Sequence, residues 1–268
     1  VPGVKVAVVG GGPAGLAAAY YLGRAGADVT ILERRDAPGG IVRHVIPDFR
    51  IGSVAVDRDV ALVKAMGVKL ILNTEVESIQ SLFDQGFTHV ILAVGAWKNG
   101  ALNLQYGQTM NVISFLEACK KCPEALELGK HVAVIGGGNT AMDAARAAKR
   151  LPGVETVSLV YRRTRRYMPA DEEELALALA GGIVFQELLS PIGVRDGILT
   201  CAVMELGTTD EAGRRAPVDT GRTVQLPADT VIAAVGEQVD GDFFAASGIR
   251  LDLRGRPAVN PNTLETSI

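Results

Sequence analysis

Cysteine and histidine are scarce in this chain: its 268 residues hold three of each, Cys119, Cys122 and Cys201, and His44, His89 and His131. An odd cysteine count in a chain this long argues against a disulfide framework and fits a reducing compartment, so a cytoplasmic location is expected. The histidines are scattered and no CxxCxxC run occurs, so no metal site is expected within the chain itself. Charge of one sign is lacking as well. Lys and Arg total 27 against 30 Asp and Glu, with the signs interspersed. No broad basic field is offered to nucleic acid or to an anionic membrane surface. Long apolar runs are absent: stretches such as 90–95 and 231–236 fall far short of the roughly 20 residues that span a bilayer. The start at Val1 lacks a signal peptide's charged-then-apolar plan.

What the chain does have is glycine, 31 residues of it, and 48% hydrophobic content, ample for a buried core. Its length favours two domains over one. The run 5–9 is β-branched, as a buried parallel strand requires, and meets Gly10, Gly11 and Gly12. Residues 13–23 then read as an alanine-rich helix and 28–32 as the next strand. A glycine-rich turn at 38–40, an irregular stretch near Pro47, a helix over 54–66 and strands at 69–72 and 89–94 follow. The pattern restarts at 131–135, turns through Gly136, Gly137 and Gly138, and continues as a helix to about Arg150 and a strand at 157–161. A helix over 171–180, a strand near 183–188, an antiparallel insertion within 199–226 with a turn at 210–213, and a strand at 231–235 complete it. "VAVVGGGPAGLAAA" and "VAVIGGGNTAMDAA" are two copies of one motif, 136 minus 10 or 126 residues apart.

Such a turn answers a specific need. A dinucleotide's pyrophosphate must approach unpaired backbone amides with no side chain in the way. In Gly10-x-Gly12-x-x-Gly15 the first glycine makes the turn, the second admits the phosphate and the third packs helix on strand, with the helix N-terminus facing the anion. Glu33 closes the next strand, where a carboxylate accepts from a ribose hydroxyl. The second turn is Gly136-x-Gly138-x-x-Ala141, and its next strand runs into Arg162, Arg163, Arg165 and Arg166. Guanidinium groups there favour a 2′-phosphate, hence NADP(H), as bidentate partners. The bland alternative is a solvated basic loop against the acidic run 171–174.

With both fingerprints set out, the chain resembles the FAD/NADPH module of the glutamate synthase small-subunit family, which includes the flavin domain of dihydropyrimidine dehydrogenase, and within it the selenate reductase iron–sulfur flavoprotein subunits. The matching stretches are "VAVVGGGPAGLAAAYYL", "GGIVRHVIPDFRI", "LGKHVAVIGGGNTAMDAARAA", "VYRRTRRYMPA" and "AVGEQ". The resemblance implies an α/β fold of two Rossmann-like dinucleotide-binding domains, the second inserted in the first: FAD-binding 1–112 and 240–268, NADPH-binding 125–239, and a connecting helix at 113–124. It implies FAD on Gly10, Gly12, Pro13, Ala14, Gly15, Glu33, Arg34, Gly40, Ile41, Val76 and Gly95. It implies NADPH on Gly136, Gly138, Asn139, Thr140, Arg162, Arg163, Gly236 and Glu237. Arg50 matches the family arginine near the flavin, as a catalytic cation favouring the anionic reduced ring. Read from its neighbours alone, Arg50 is a loop salt bridge to Asp48 or Asp57.

The activity implied is passage of hydride from NADPH to FAD and of electrons to iron–sulfur clusters in other domains or partner subunits. The family also continues past 260–268 with a strand ending in Gly-Asp and a helix that hold FAD, and carries a preceding iron–sulfur domain. A truncated chain with weakened FAD binding is therefore expected. A rival is a thioredoxin-reductase-like disulfide reductase using Cys119 and Cys122. Its thiols stand in the last turn of a helix read at 111–122, where the dipole disfavours thiolate. A non-catalytic nucleotide-binding assembly module is the remaining alternative.

Overall fold

The computed structural model describes residues 3–209 and 213–268, with Asn99 described by its backbone alone. Contacts divide the chain into two compact units, one made of 1–98 with 237–268 and the other of 99–236. The change of unit therefore falls at Lys98/Asn99 and Gly236/Glu237 rather than at 112 and 240. The reason is packing: the helix expected to connect two domains buries Val112, Ile113, Phe115 and Leu116, and its neighbours are elements of the second unit.

In the first unit, β1 (Lys5–Val9), α1 (Pro13–Arg24), β2 (Asp28–Leu32), α2 (Gly40–His44), α3 (Ser53–Ala65), β3 (Lys69–Ile71), α4 (Ile79–Asp84) and β4 (His89–Leu92) succeed one another. The strands form a parallel sheet in the order β3-β2-β1-β4. β1 and β2 each expose only their first residue because both faces are covered, which is why they read as unbroken apolar runs. Val6, Val8, Val29 and Ile31 meet Leu16 and Ala19 of α1 and Val56, Val60 and Val63 of α3. Ala7, Val9 and Leu32 face Leu82 on the other side. Within β5 (Lys98–Asn99) the chain enters the second unit.

There β6 (Met110–Asn111), α5 (Val112–Lys121), β7 (His131–Ile135), α6 (Asn139–Ala148), β8 (Thr156–Tyr161), α7 (Glu172–Ala180) and β9 (Val184–Glu187) lead to an antiparallel sheet of β10 (Leu189–Arg195), β11 (Ile198–Thr209) and β12 (Arg215–Pro227). The turn expected at 210–213 falls mostly outside the described residues. β13 (Thr230–Ala233) then completes a parallel sheet in the order β6-β13-β7-β8-β9. Helix α6 buries Ala141, Ala144, Ala145, Ala147 and Ala148, small side chains that let it lie close to the sheet, together with Met142. The chain returns at β14 (Glu237–Gln238) and ends with α8 (Gly241–Ala246), whose Phe244 packs with Ile79 and Ile249 of the first unit. No described helix is long and apolar enough to cross a membrane.

Candidate dinucleotide sites

Each sheet carries its glycine turn where the middle strand passes into its helix, and the backbone explains the residue types. Gly10 has φ +105°, and a methyl on it would stand 2.4 Å from the Ala93 carbonyl oxygen. A methyl on Gly15 would stand 1.9 Å from the Gly10 carbonyl oxygen, so helix and strand touch there as only glycine allows. In the second turn a methyl on Gly136 would meet the Ala234 carbonyl oxygen at 2.2 Å, whereas Ala141 takes the third position with its own methyl buried.

The helix starts fit an anion. Pro13 has no N–H, and the first-turn amides of Ala14 and Gly15 have no acceptor within α1. α2 opens close by on Gly39 (φ +121°) and Gly40 (φ +53°), with the Gly40 methyl position 2.9 Å from Gly12 Cα. Two surfaces without side chains, Gly12 and Gly40, thus face one another, while the Gly39 methyl position is taken by Val56 and Arg43. In the second unit Asn139 and Thr140 open α6 while Ala141 and Met142 donate to Gly138.

Both turns follow one template. Gly10 N–H donates to Leu32 O at 2.9 Å, and Gly136 N–H to Val160 O at 3.0 Å. Gly11 O then accepts from Gly39 N–H at 2.7 Å, as Gly137 O accepts from Ala170 N–H at 3.0 Å. This register pairs Glu33 with Tyr161, not with Arg162. Glu33 is buried; its Oε2 accepts Gly11 N–H at 2.7 Å and its Oε1 accepts Arg35 N–H at 2.9 Å. Each oxygen keeps a lone pair for another donor. Tyr161 lays its ring where a Gly137 methyl would be, 2.5 Å from Cε2, and its hydroxyl donates to Tyr167 O at 2.7 Å.

The sequence model of the pyridine nucleotide-disulphide oxidoreductases matches residues 4–268. The chain belongs to that family. It is 47% identical over 262 residues to YgfK of Escherichia coli K12, covering 96% of this chain and 25% of that protein. Against the glutamate synthase [NADPH] small chain of the same strain it is 32% identical over 292 residues, covering 99% of this chain and 61% of the other. The chain thus spans a quarter to about three fifths of these relatives. Among solved structures, FprA from Mycobacterium tuberculosis in complex with NADPH superposes with TM-score 0.75 at 23% identity, over 93% of this chain and 73% of FprA. That likeness shows a shared α/β fold with parallel sheets.

Within this pyridine nucleotide-disulphide oxidoreductase chain, several expected site residues lie otherwise than the sequence suggests. Arg163 turns inward: it is 7% exposed and its Nε–H donates to Arg215 O at 2.9 Å, while Arg162, Arg165 and Arg166 are exposed. The chain bends at Arg162 and Arg163 just past β8, leaving the first side chain exposed and the second buried. The Asn139 side chain is held by Asp171, with Nδ2–H donating to Oδ2 at 2.9 Å and Oδ1 accepting Asp171 N–H at 3.0 Å. Its backbone amide and the second Nδ2–H are left to face an anion. Glu174 pairs with Arg146 at 2.9 Å, so these two members of the acidic run meet α6.

In the first unit Arg34 is exposed, 4.0 Å from Glu75, and Val76 packs against the core cluster of Ala7, Val9, Leu32 and Leu82. Gly95 (φ +74°) lies beside the Trp97 ring, over which Arg35 sits 4.2 Å from the centroid. Ile41 is half-buried in α2, and Arg50 is exposed with its N–H turned back to Pro47 O at 2.9 Å. Asp57, one partner weighed for Arg50, accepts from Arg43. Gly236 (φ +108°) accepts Gly100 N–H at 2.7 Å within the second unit, and Glu237 opens the return to the first. Burial pushes the Cys119 and Cys201 thiols up to about 12, and Cys122 is exposed just past α5.

Tyr161, Asp171, Arg35 and Trp97 were not singled out from sequence. The glycine beside each of the two turns was the available signal for Tyr161: a side chain must fill the space that Gly137 leaves.

Proposed function

We propose that this chain is the flavin- and NADPH-binding part of a larger oxidoreductase, with FAD on the first unit and NADPH on the second. Bound FAD would supply the chemistry, accepting two electrons as hydride from NADPH and passing them on to iron–sulfur centres in other domains or partner subunits. The chain's own residues do the rest. Ala14 and Gly15 amides face the FAD pyrophosphate at the α1 N-terminus, and the buried Glu33 carboxylate takes the ribose hydroxyls. Asn139 and Thr140 amides face the NADPH pyrophosphate. Arg50 stands as the cation that favours a reduced, anionic ring.

The observation that carries this reading is the contrast on a shared template: a buried carboxylate at one turn, a tyrosine followed by exposed arginines at the other. A carboxylate repels a 2′-phosphate and guanidinium groups bind it. Arg162→Ala should lower the preference for NADP⁺ over NAD⁺ about tenfold, since a charge-assisted hydrogen bond is worth about 1.5–3 kcal/mol. Calorimetric titration of both nucleotides into the parent and variant chains measures it. An unchanged ratio of the two dissociation constants sinks the assignment.

A further inference from the structure

We infer that Arg163 is a positioning residue, through which the β11–β12 hairpin fixes the arginine-bearing segment over the second glycine turn; the inference rests on the NADPH reading of that turn. The segment from Arg162 to Ala170 begins and ends on the same glycine. Tyr161 covers Gly137 with its ring, and Ala170 N–H donates to Gly137 O. Between these anchors the far part is pinned several times: Tyr161 Oη–H to Tyr167 O at 2.7 Å, the reciprocal Asn139–Asp171 pair, and Arg165 N–H to Glu187 Oε2 at 2.9 Å.

The near part is held by Arg163. Its side chain runs inward to Arg215 O at 2.9 Å, and its own carbonyl accepts Leu188 N–H at 3.2 Å. Arg215 is in turn stapled across the hairpin. Its Nε–H donates to Gly207 O at 2.7 Å and its Nη2 to Leu206 O, beside the register shift between Leu206 and Thr209. One arginine therefore holds the carbonyl that the next arginine grips. A buried guanidinium needs acceptors, and a backbone carbonyl set by a β-ladder is a rigid one.

Binding strength at the exposed Arg162, Arg165 and Arg166 depends on how little freedom they lose when a phosphate arrives. Removing the Arg163 side chain leaves the Arg162 end on its one backbone bond from Leu188 N–H while the far pins remain. The nucleotide's shared parts, which meet the α6 N-terminus, are untouched. Selectivity for the 2′-phosphate should fall without a matching loss of NAD⁺ binding.

The chemistry offers a sharp substitution. Glutamine carries an amide nitrogen at the same distance along the side chain as arginine Nε, so Arg163→Gln keeps a donor for Arg215 O and removes the charge. Dissociation constants for NADP⁺ and NAD⁺ would be measured calorimetrically on R163A, R163Q, R215A and R162A, with thermal unfolding followed alongside. The expected result is a fall of about tenfold in the NADP⁺ preference for R163A and R215A, with R163Q within about twofold of the parent. A ratio unchanged in R163A or R215A while R162A collapses it overturns the inference, as does an R163Q that falls as far as R163A, which would make Arg163 a direct phosphate ligand. An unchanged R162A points instead to failure of the NADPH reading itself. If R163A does not fold, R163Q and R215A decide by the same criteria.

Discussion

The Glu33 carboxylate grips the backbone amide of Gly11 at 2.7 Å, tying the end of β2 to the middle of the first glycine turn. Its second oxygen holds Arg35 N–H. Glu33→Gln leaves one amide facing an oxygen and the other facing an NH₂ group, so one buried donor loses its acceptor. The cost should be about 1–3 kcal/mol in urea unfolding. FAD affinity should drop about tenfold when followed by flavin fluorescence. A variant with parental stability would show that neither amide depends on the charge.

Gly15 and Gly138 make a paired experiment. A methyl at Gly15 runs into the Gly10 carbonyl oxygen at 1.9 Å, whereas one at Gly138, with φ −96°, meets nothing within 4 Å. Gly15→Ala should therefore destabilise by about 3 kcal/mol or more. Gly138→Ala should stay within about 1 kcal/mol of the parent yet weaken NADP⁺ binding at least about tenfold, because its methyl enters space the pyrophosphate needs. Thermal unfolding and calorimetry separate the two outcomes. A fully binding Gly138→Ala chain would remove that glycine from the site.

Lys98 gives a pH signature. Its ammonium lies 2.7 Å from Asp240 and 2.8 Å from Asp242, within the first unit where its two chain segments meet. The hydrogen bond from Lys98 holds Asp240 below its ordinary 3.8, and Asp240 and Asp242 raise Lys98 above 10.5. A depressed carboxylate stabilises above its unfolded pKa and loses that contribution as pH falls through the folded one. For the raised lysine the contribution is full below 10.5 and lost as pH climbs through the folded value. The thermal midpoint of the parent should thus drop more steeply than that of Lys98→Met below about pH 3.8, with the gap shrinking in high salt. Parallel curves would show that the contact adds nothing.

Much of this was legible in the sequence because the strong signals are local. Strand 5–9, helix 13–23 and strand 28–32 agree with the structure to within one residue, since β-branched stretches favour strand, alanine-rich ones favour helix, and glycines mark the breaks between them. α2, α4 and α8 were missed; at five or six residues they are too short for a helical period to declare itself. Arg163 was misplaced for a different reason. Arg162 and Arg163 read as a pair on one phosphate, and only the bend after β8 shows that the second of the two turns inward. The Glu33–Tyr161 equivalence is likewise invisible until Gly10 and Gly136 reveal their acceptors, Leu32 and Val160.

Gly10 is pressed against the Ala93 carbonyl and Gly136 against that of Ala234, so each turn is closed by the strand that follows much later in the chain. That strand reaches the first turn after 83 residues, from 10 to 93, and the second after 98, from 136 to 234. During synthesis at about 5–20 residues per second, the second turn must stand open for several seconds until β13 emerges. The antiparallel insertion made in that interval pairs its own strands locally, β10 with β11 and β11 with β12, and its further partners, Tyr106, β7 and β8, have already been made. It can therefore assemble first and serve as a scaffold, so that the glycine turn of the second unit is the last part of its sheet to be closed.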